Sequence, residues 1–131
     1  MFGAPRNVAK AYASVGLETG VVAASPHQLI TMLFDGALAA ILKAKTHMEQ
    51  QQIAEKGEAL SKAIMIIDSG LRAGLNLEQG GELASQLDAL YSYMVTRLME
   101  ANLQNNLLTL REVYQLLTDL KSSWVSIGQS I

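Results

Sequence analysis

Apolar residues recur every three to four positions along most of the chain after residue 25, a spacing that places them on one face of a helix. No segment follows the alternating template of a strand. The pattern therefore predicts an all-α protein. The four segments that carry it run from about Pro26 to Gln51, Glu55 to Leu75, Glu82 to Gln104 and Leu107 to Ile127.

Short polar breaks separate the four segments, at Gln50–Gln52, Asn76–Gly81 and Asn105–Asn106. Connections of this length make consecutive helices antiparallel neighbours. The sequence thus predicts an antiparallel up-down-up-down four-helix bundle. Either Asn105 or Asn106 is expected to cap the last helix.

The first long helix has a well-marked start. Ser25 is an N-cap residue, and Pro26 suits the first helical position because the N–H that proline lacks has no partner there. Gln28 stands three residues after Ser25 and completes a capping box.

This helix carries more apolar surface than one seam of a bundle uses. At ~100° per residue, its apolar arc spans roughly 200°, against ≳100° for an ordinary core-facing helix. Either its own fold encloses the helix, or part of the arc stays free for a partner. We adopt the second hypothesis, in which a second apolar seam binds a partner helix. This seam comprises Ile30, Phe34, Ile41 and Met48.

Residues 1–24 differ from the rest, because Gly3, Pro5, Gly16 and Gly20 interrupt any pattern. A helical turn or two there is too short to be stable alone. We expect a short helical or mobile cap segment at 1–24 and the four-helix bundle at 25–131. In this hypothesis Val8 and Tyr12 occupy the seam weakly and yield to the partner. The full set of expected partner-binding residues is Val8, Tyr12, Ile30, Phe34, Leu38, Ile41, Met48 and Tyr91.

The composition excludes some classes of binding partner. The chain has 131 residues, a formal net charge of −2 and no cysteine. It is long enough for one domain with its own core, and it has no basic cluster of the kind that nucleic acid requires. No apolar run approaches the ~20 residues of a membrane span. We expect a soluble cytoplasmic protein with no nucleic-acid partner and no membrane insertion.

Catalytic and metal chemistry have no supporting pattern. A di-iron bundle needs Glu three residues before each histidine, but Ala24 and Ala44 stand before His27 and His47. No glycine-rich phosphate loop or catalytic triad pattern is present. We expect no enzyme activity, no metal and no cofactor.

Several sequence motifs follow one another in a fixed order, among them Ser-Pro-His-Gln-Leu-Ile at 25–30, Met-Leu-Phe-Asp-Gly-Ala at 32–37, Ile-Ile-Asp-Ser-Gly-Leu at 66–71 and Leu-Tyr-Ser-Tyr-Met at 90–94. In this order they resemble the flagellin-specific export chaperone family, FliS. The resemblance extends from about Lys10 to Trp124, although Gln51-Gln52 stand where the family often has Gly-Asp.

The resemblance implies a cytoplasmic helical bundle that binds the disordered C-terminal segment of flagellin. Binding would prevent premature polymerisation and deliver the subunit to the flagellar export gate. The segment around Tyr12 would lie near the binding surface and contact the export platform. The alternative is a non-catalytic regulatory or structural bundle that forms a weak homodimer through its apolar seam.

Overall fold

The computed structural model describes residues 25–129, and helices account for nearly all of them. A π-helical segment, Ile66–Arg72, directly continues the second helix. Within 25–129 the all-α prediction and the four-helix bundle are confirmed. The predicted cap segment at 1–24 lies outside the described residues. The four helices are α1 (Pro26–Glu49), α2 (Ile53–Met65), α3 (Leu77–Gln104) and α4 (Leu107–Gln129).

Short turns reverse the chain between helices, so neighbours run antiparallel. Helix α1 packs against α2, the π-helical segment and α4, and α3 packs against the same three elements. The bundle is therefore a square in which α1 and α3 lie on one diagonal. We call the end with the start of α1 and the end of α4 the upper end. The lower end carries the α1–α2 and α3–α4 turns.

One apolar core fills the square, and every helix contributes to it. Its side chains are removed from water almost completely, which is the main favourable term in folding. The largest members include Leu33, Phe34, Ile41, Leu60, Ile67, Tyr91, Leu98 and Leu110.

Local capping signals in the sequence are used as expected. The backbone N–H of Gln28 donates to Ser25 Oγ at 3.1 Å, and Ser25 N–H donates to Gln28 Oε1 at 2.9 Å, which forms the capping box. Asn106 caps α4, because its Oδ1 accepts from Leu108 N–H at 3.0 Å. Asn105 instead ends α3 in the left-handed conformation, with φ of 50°.

The second and third helices depart from the simple pattern. The helix expected over 55–75 becomes π-helical at Ile66, where Ala73 N–H donates to the Asp68 carbonyl five residues back at 3.2 Å. Helix α3 starts five residues before the expected Glu82, at Leu77. Its first turn is set off by a kink at Gly81, with φ of 56°, a conformation that favours glycine.

A reciprocal contact between His27 and Trp124 joins α1 to α4 at the upper end. The two rings stack with centroids 4.7 Å apart. His27 Nε2–H donates to the Trp124 carbonyl at 2.7 Å, and the Trp124 indole N–H donates to the His27 carbonyl at 3.0 Å. Gly128 lies against the same imidazole, so closely that a Cβ there would overlap His27 Cε1. We call this contact the His27–Trp124 clasp.

The clasp predicts opposite effects for two glycine substitutions. Gly128→Ala pushes the His27 ring from its place and is expected to destabilise the protein by about 1–3 kcal/mol. The matched control is Gly57→Ala in α2, where a Cβ meets nothing within 4 Å. This control should be neutral or stabilising by up to about 1 kcal/mol. Urea unfolding measures the free energy of unfolding of each variant. Equal stability of the two variants would contradict the packing described.

Candidate partner-binding surface

The expected second seam of α1 is not exposed. Ile30, Phe34, Ile41 and Met48 are all buried, with at most 8% of each side chain exposed. The expectation of an open seam on α1 is therefore wrong. The physical reason is that α1 has packed neighbours on both sides, α2 with its π-helical segment and α4, which divide the wide apolar arc between them. Whether these four side chains contact a partner stays a prediction.

The other expected residues are also dispersed. Tyr91 is fully buried in α3, and Leu38 is half-buried against the core. Val8 and Tyr12 lie outside the described residues. Four of the expected residues line three concave regions: Ile41 lines the first, Met48 the second, and Phe34 with Tyr91 the third.

The first region is a trough between α1 and α4, with a cavity volume of about 260 Å³. Buried Ile41 and Leu110 lie among its lining residues. Leu42 and Leu107 remain 47% and 36% exposed, one on each helix. The α1 part, from Ile41 to Glu49, is about 12 Å long at ~1.5 Å per residue, or roughly two helical turns. The α1/α4 trough is lined by Ile41, Leu42, Lys45, Glu49, Leu107, Leu110, Arg111 and Tyr114.

Charged residues border this trough on both helices. Lys45 and Glu49 belong to α1, and Arg111 belongs to α4. None of the three forms an ion pair within residues 25–129, although Lys121 Nζ lies 2.5 Å from Asp35 Oδ1 farther up the same two helices. An apolar centre with a polar rim is the usual anatomy of a protein interface.

The second region lies at the lower end and has a cavity volume of about 410 Å³. We call it the end pocket. It shares Leu107 with the α1/α4 trough, so the two lie side by side. Its residues come from both lower turns and are His47, Met48, Gln51, Gln52, Ile53, Lys56, Asn105 and Leu107.

A buried lysine stands in the end pocket. Lys56 is only 3% exposed, and its Nζ donates to the Asn102 carbonyl at 3.0 Å and to Asn105 Oδ1. These acceptors belong to the last turn of α3, where the helix dipole favours a cation. Sequence reasoning missed Lys56. The available signal was its place four residues before Leu60, on the apolar stripe of α2.

The third region, the upper pocket, holds about 140 Å³ and is almost wholly apolar. Tyr91 lines it, and no hydrogen-bond partner for the Tyr91 hydroxyl occurs among the described residues. Burial raises the pKa of Tyr91 above its ordinary value. Trp124 forms part of the wall and is held by the His27–Trp124 clasp.

The outer face of α3 and α4 contrasts with the trough. Arg97 Nε donates to Glu112 at 2.8 Å, and the Tyr93 hydroxyl donates to the same carboxylate at 2.7 Å. The hydrogen bond from Arg97, followed by that from Tyr93, lowers the pKa of Glu112. Arg97 and Glu112 on this face are therefore paired with each other, whereas the α1/α4 trough keeps exposed leucines beside charges that have no ion-pair partner among residues 25–129. We take the trough and the end pocket as the candidate binding surface.

Two other classes of site have no support between residues 25 and 129. Between residues 25 and 129, no three His, Asp or Glu side chains are grouped as a metal site would require. None of the helices described above combines the length and the apolar character that a membrane span needs.

Comparison with known proteins gives a consistent result. The family model described as "Flagellar protein FliS" matches residues 8–131. A protein of Salmonella typhimurium named flagellar secretion chaperone FliS is 53% identical over 119 residues, covering 91% of this chain and 88% of the relative. The flagellar secretion chaperone FliSB of Pseudomonas aeruginosa is 48% identical, over 91% of this chain and 94% of its own. The FliS of Bacillus subtilis is 34% identical, over 86% and 83%.

Tyr91 predicts a pH dependence of stability. Burial keeps its hydroxyl protonated in the folded state, while the unfolded chain releases that proton above about pH 10. The folded state then binds more protons, so the free energy of unfolding should fall as pH rises past this value, by up to about 1.4 kcal/mol per pH unit. Below it, Tyr91 contributes no pH dependence. Urea unfolding on both sides of this pH should show a shallower decline for Tyr91→Phe, and identical declines would contradict the assignment.

Proposed function

The chain belongs to the FliS family of flagellar proteins, and from this premise we propose that it is a flagellar secretion chaperone that binds the disordered C-terminal segment of flagellin. Binding prevents premature polymerisation in the cytoplasm and delivers the subunit to the flagellar export gate. The names of the relatives support the secretion role. The α1/α4 trough supports the binding of a client segment.

The observation that carries the proposal is the exposed apolar strip between α1 and α4. An amphipathic helix docks in such a groove through apolar anchors one or two turns apart. Leu42 and Leu107 offer contact on opposite walls, and Tyr114 adds an aromatic surface. A client that folds on binding loses about 2–5 kcal/mol or more in ordering, which burial of apolar surface at ~25 cal/mol per Å² offsets.

This mode of binding needs no catalytic step. Most of the affinity comes from apolar contact, and the charges at the rim stay in reach of water. Release at the export gate then does not require breaking buried ion pairs across the trough. In the same proposal, residues 1–24 cover the binding surface until a client arrives, with Val8 and Tyr12 as contacts, and Tyr12 also meets the export platform.

Truncation of the client tests the proposal directly. Flagellin that lacks its C-terminal segment should fail to co-purify with this protein, whereas full-length flagellin should co-purify in a one-to-one complex. Light scattering with and without the C-terminal peptide measures the mass. A stable dimer that ignores the peptide would contradict the proposal and favour the homodimer alternative.

A surface substitution tests the trough as the place of binding. Leu42→Gln removes an exposed apolar contact. It should lower the affinity for the flagellin peptide about fivefold or more, because burial of a whole leucine contributes about 1.5–3 kcal/mol. The matched control is Met99→Gln on α3, where Met99 is 55% exposed and lies diagonally opposite α1. Isothermal titration calorimetry measures both affinities. Equal weakening of the two variants would place the client elsewhere.

A further inference from the structure

We infer that the end pocket binds the terminal carboxylate of the client chain, with Lys56 as its counter-charge. This inference rests on the proposed function, since it concerns the client segment that the trough binds. It adds a polar subsite and a direction of binding, with the client's last residue at the lower end of the bundle.

The first step is the incomplete pairing of Lys56. An ammonium group has three N–H donors, and Lys56 uses two of them, on the Asn102 carbonyl and on Asn105 Oδ1. Both acceptors are neutral. No carboxylate within residues 25–129 forms an ion pair with Lys56. Capping the end of α3 explains two hydrogen bonds, but among the described residues it leaves this 97% buried cation without an anion, which is an unusual state for a buried charge.

The second step is a further donor on the same pocket. His47 Nδ1 lies 2.6 Å from Gln52 Oε1, so the imidazole N–H donates and the Gln52 oxygen accepts. This leaves the side-chain NH₂ of Gln52 without an acceptor among the described residues. Lys56 and Gln52 both line the end pocket. A carboxylate has two oxygens and accepts from both kinds of donor, and hydrogen bonds to a charged group are stronger than neutral ones.

The third step is the position of the pocket. It adjoins the α1/α4 trough at Leu107, so a helix that lies in the trough and extends to the lower end finishes beside it. Met48 and Ile53 supply apolar wall for the client's last side chain, and Ile53 is 68% exposed. Because the proposed client segment is the C-terminal one, its chain end carries a free carboxylate. The charge of that group complements Lys56.

Two peptides of identical sequence test the inference on the unmodified protein. Both represent flagellin's C-terminal segment, one with a free terminal carboxylate and one with a terminal amide. Calorimetric titration should show the acid peptide binding about tenfold more tightly or better, the difference expected for a hydrogen bond to a charged group. Equal affinities would overturn the inference and leave the proposed function intact. Failure of both peptides to bind would contradict the proposed function itself.

Substitution at Lys56 then assigns the effect to the pocket. Lys56→Met should abolish the preference for the acid peptide. The matched control is Lys62→Met, an exposed lysine of the same α2 helix outside the end pocket, which should keep the preference. Circular dichroism verifies that each variant is folded.

A second variant covers the case in which Lys56→Met does not fold, since Lys56 also caps α3. Gln52→Glu places a negative charge at the exposed start of α2, where helix dipoles tolerate it. It should lower the affinity for the acid peptide several-fold more than the affinity for the amide peptide. A preference for the acid peptide that survives Gln52→Glu unchanged would overturn the inference.

Discussion

The burial of α1 on both of its sides is the interaction on which the rest of this bundle depends. Its apolar arc is wide enough to face α2 and α4 at once, and the square arrangement uses almost all of it. What remains for a partner is therefore narrow. It is the strip where α1 and α4 meet below the Asp35–Lys121 ion pair, at the margin of the core.

That margin combines apolar contact with polar groups that can bind a charged one. The α3–α4 face satisfies its charges internally through Arg97 and Glu112, and the lower end holds Lys56 against neutral oxygens. The trough offers apolar contact, and the end pocket offers hydrogen-bond donors and a positive charge. A groove with apolar contacts beside a polar pocket suits an elongated client segment better than a compact one. Different parts of an extended segment can then contact apolar side chains and polar groups in turn.

The helix caps could be predicted from the sequence, but the positions of the helices relative to one another could not. The capping box at Ser25 and the cap at Asn106 depend on residues within one turn, so their spacing alone predicts them. Exposure depends on which neighbours pack against a helix. Phe34 and Leu42 look equally apolar in the sequence, yet the first is enclosed and the second is half-exposed. The π-helical turn at Ile66 and the burial of Lys56 likewise arise from contacts between helices.

The His27–Trp124 clasp ties together residues that are 97 positions apart in the chain. Helix ends ordinarily fray independently, because the free energy of local unfolding at each end is small. Here the first turn of α1 and the last turns of α4 hold each other's backbone carbonyls, so neither opens without releasing its counterpart. We therefore expect these two helix ends to open together in amide exchange, with one local stability common to both ends of the described chain.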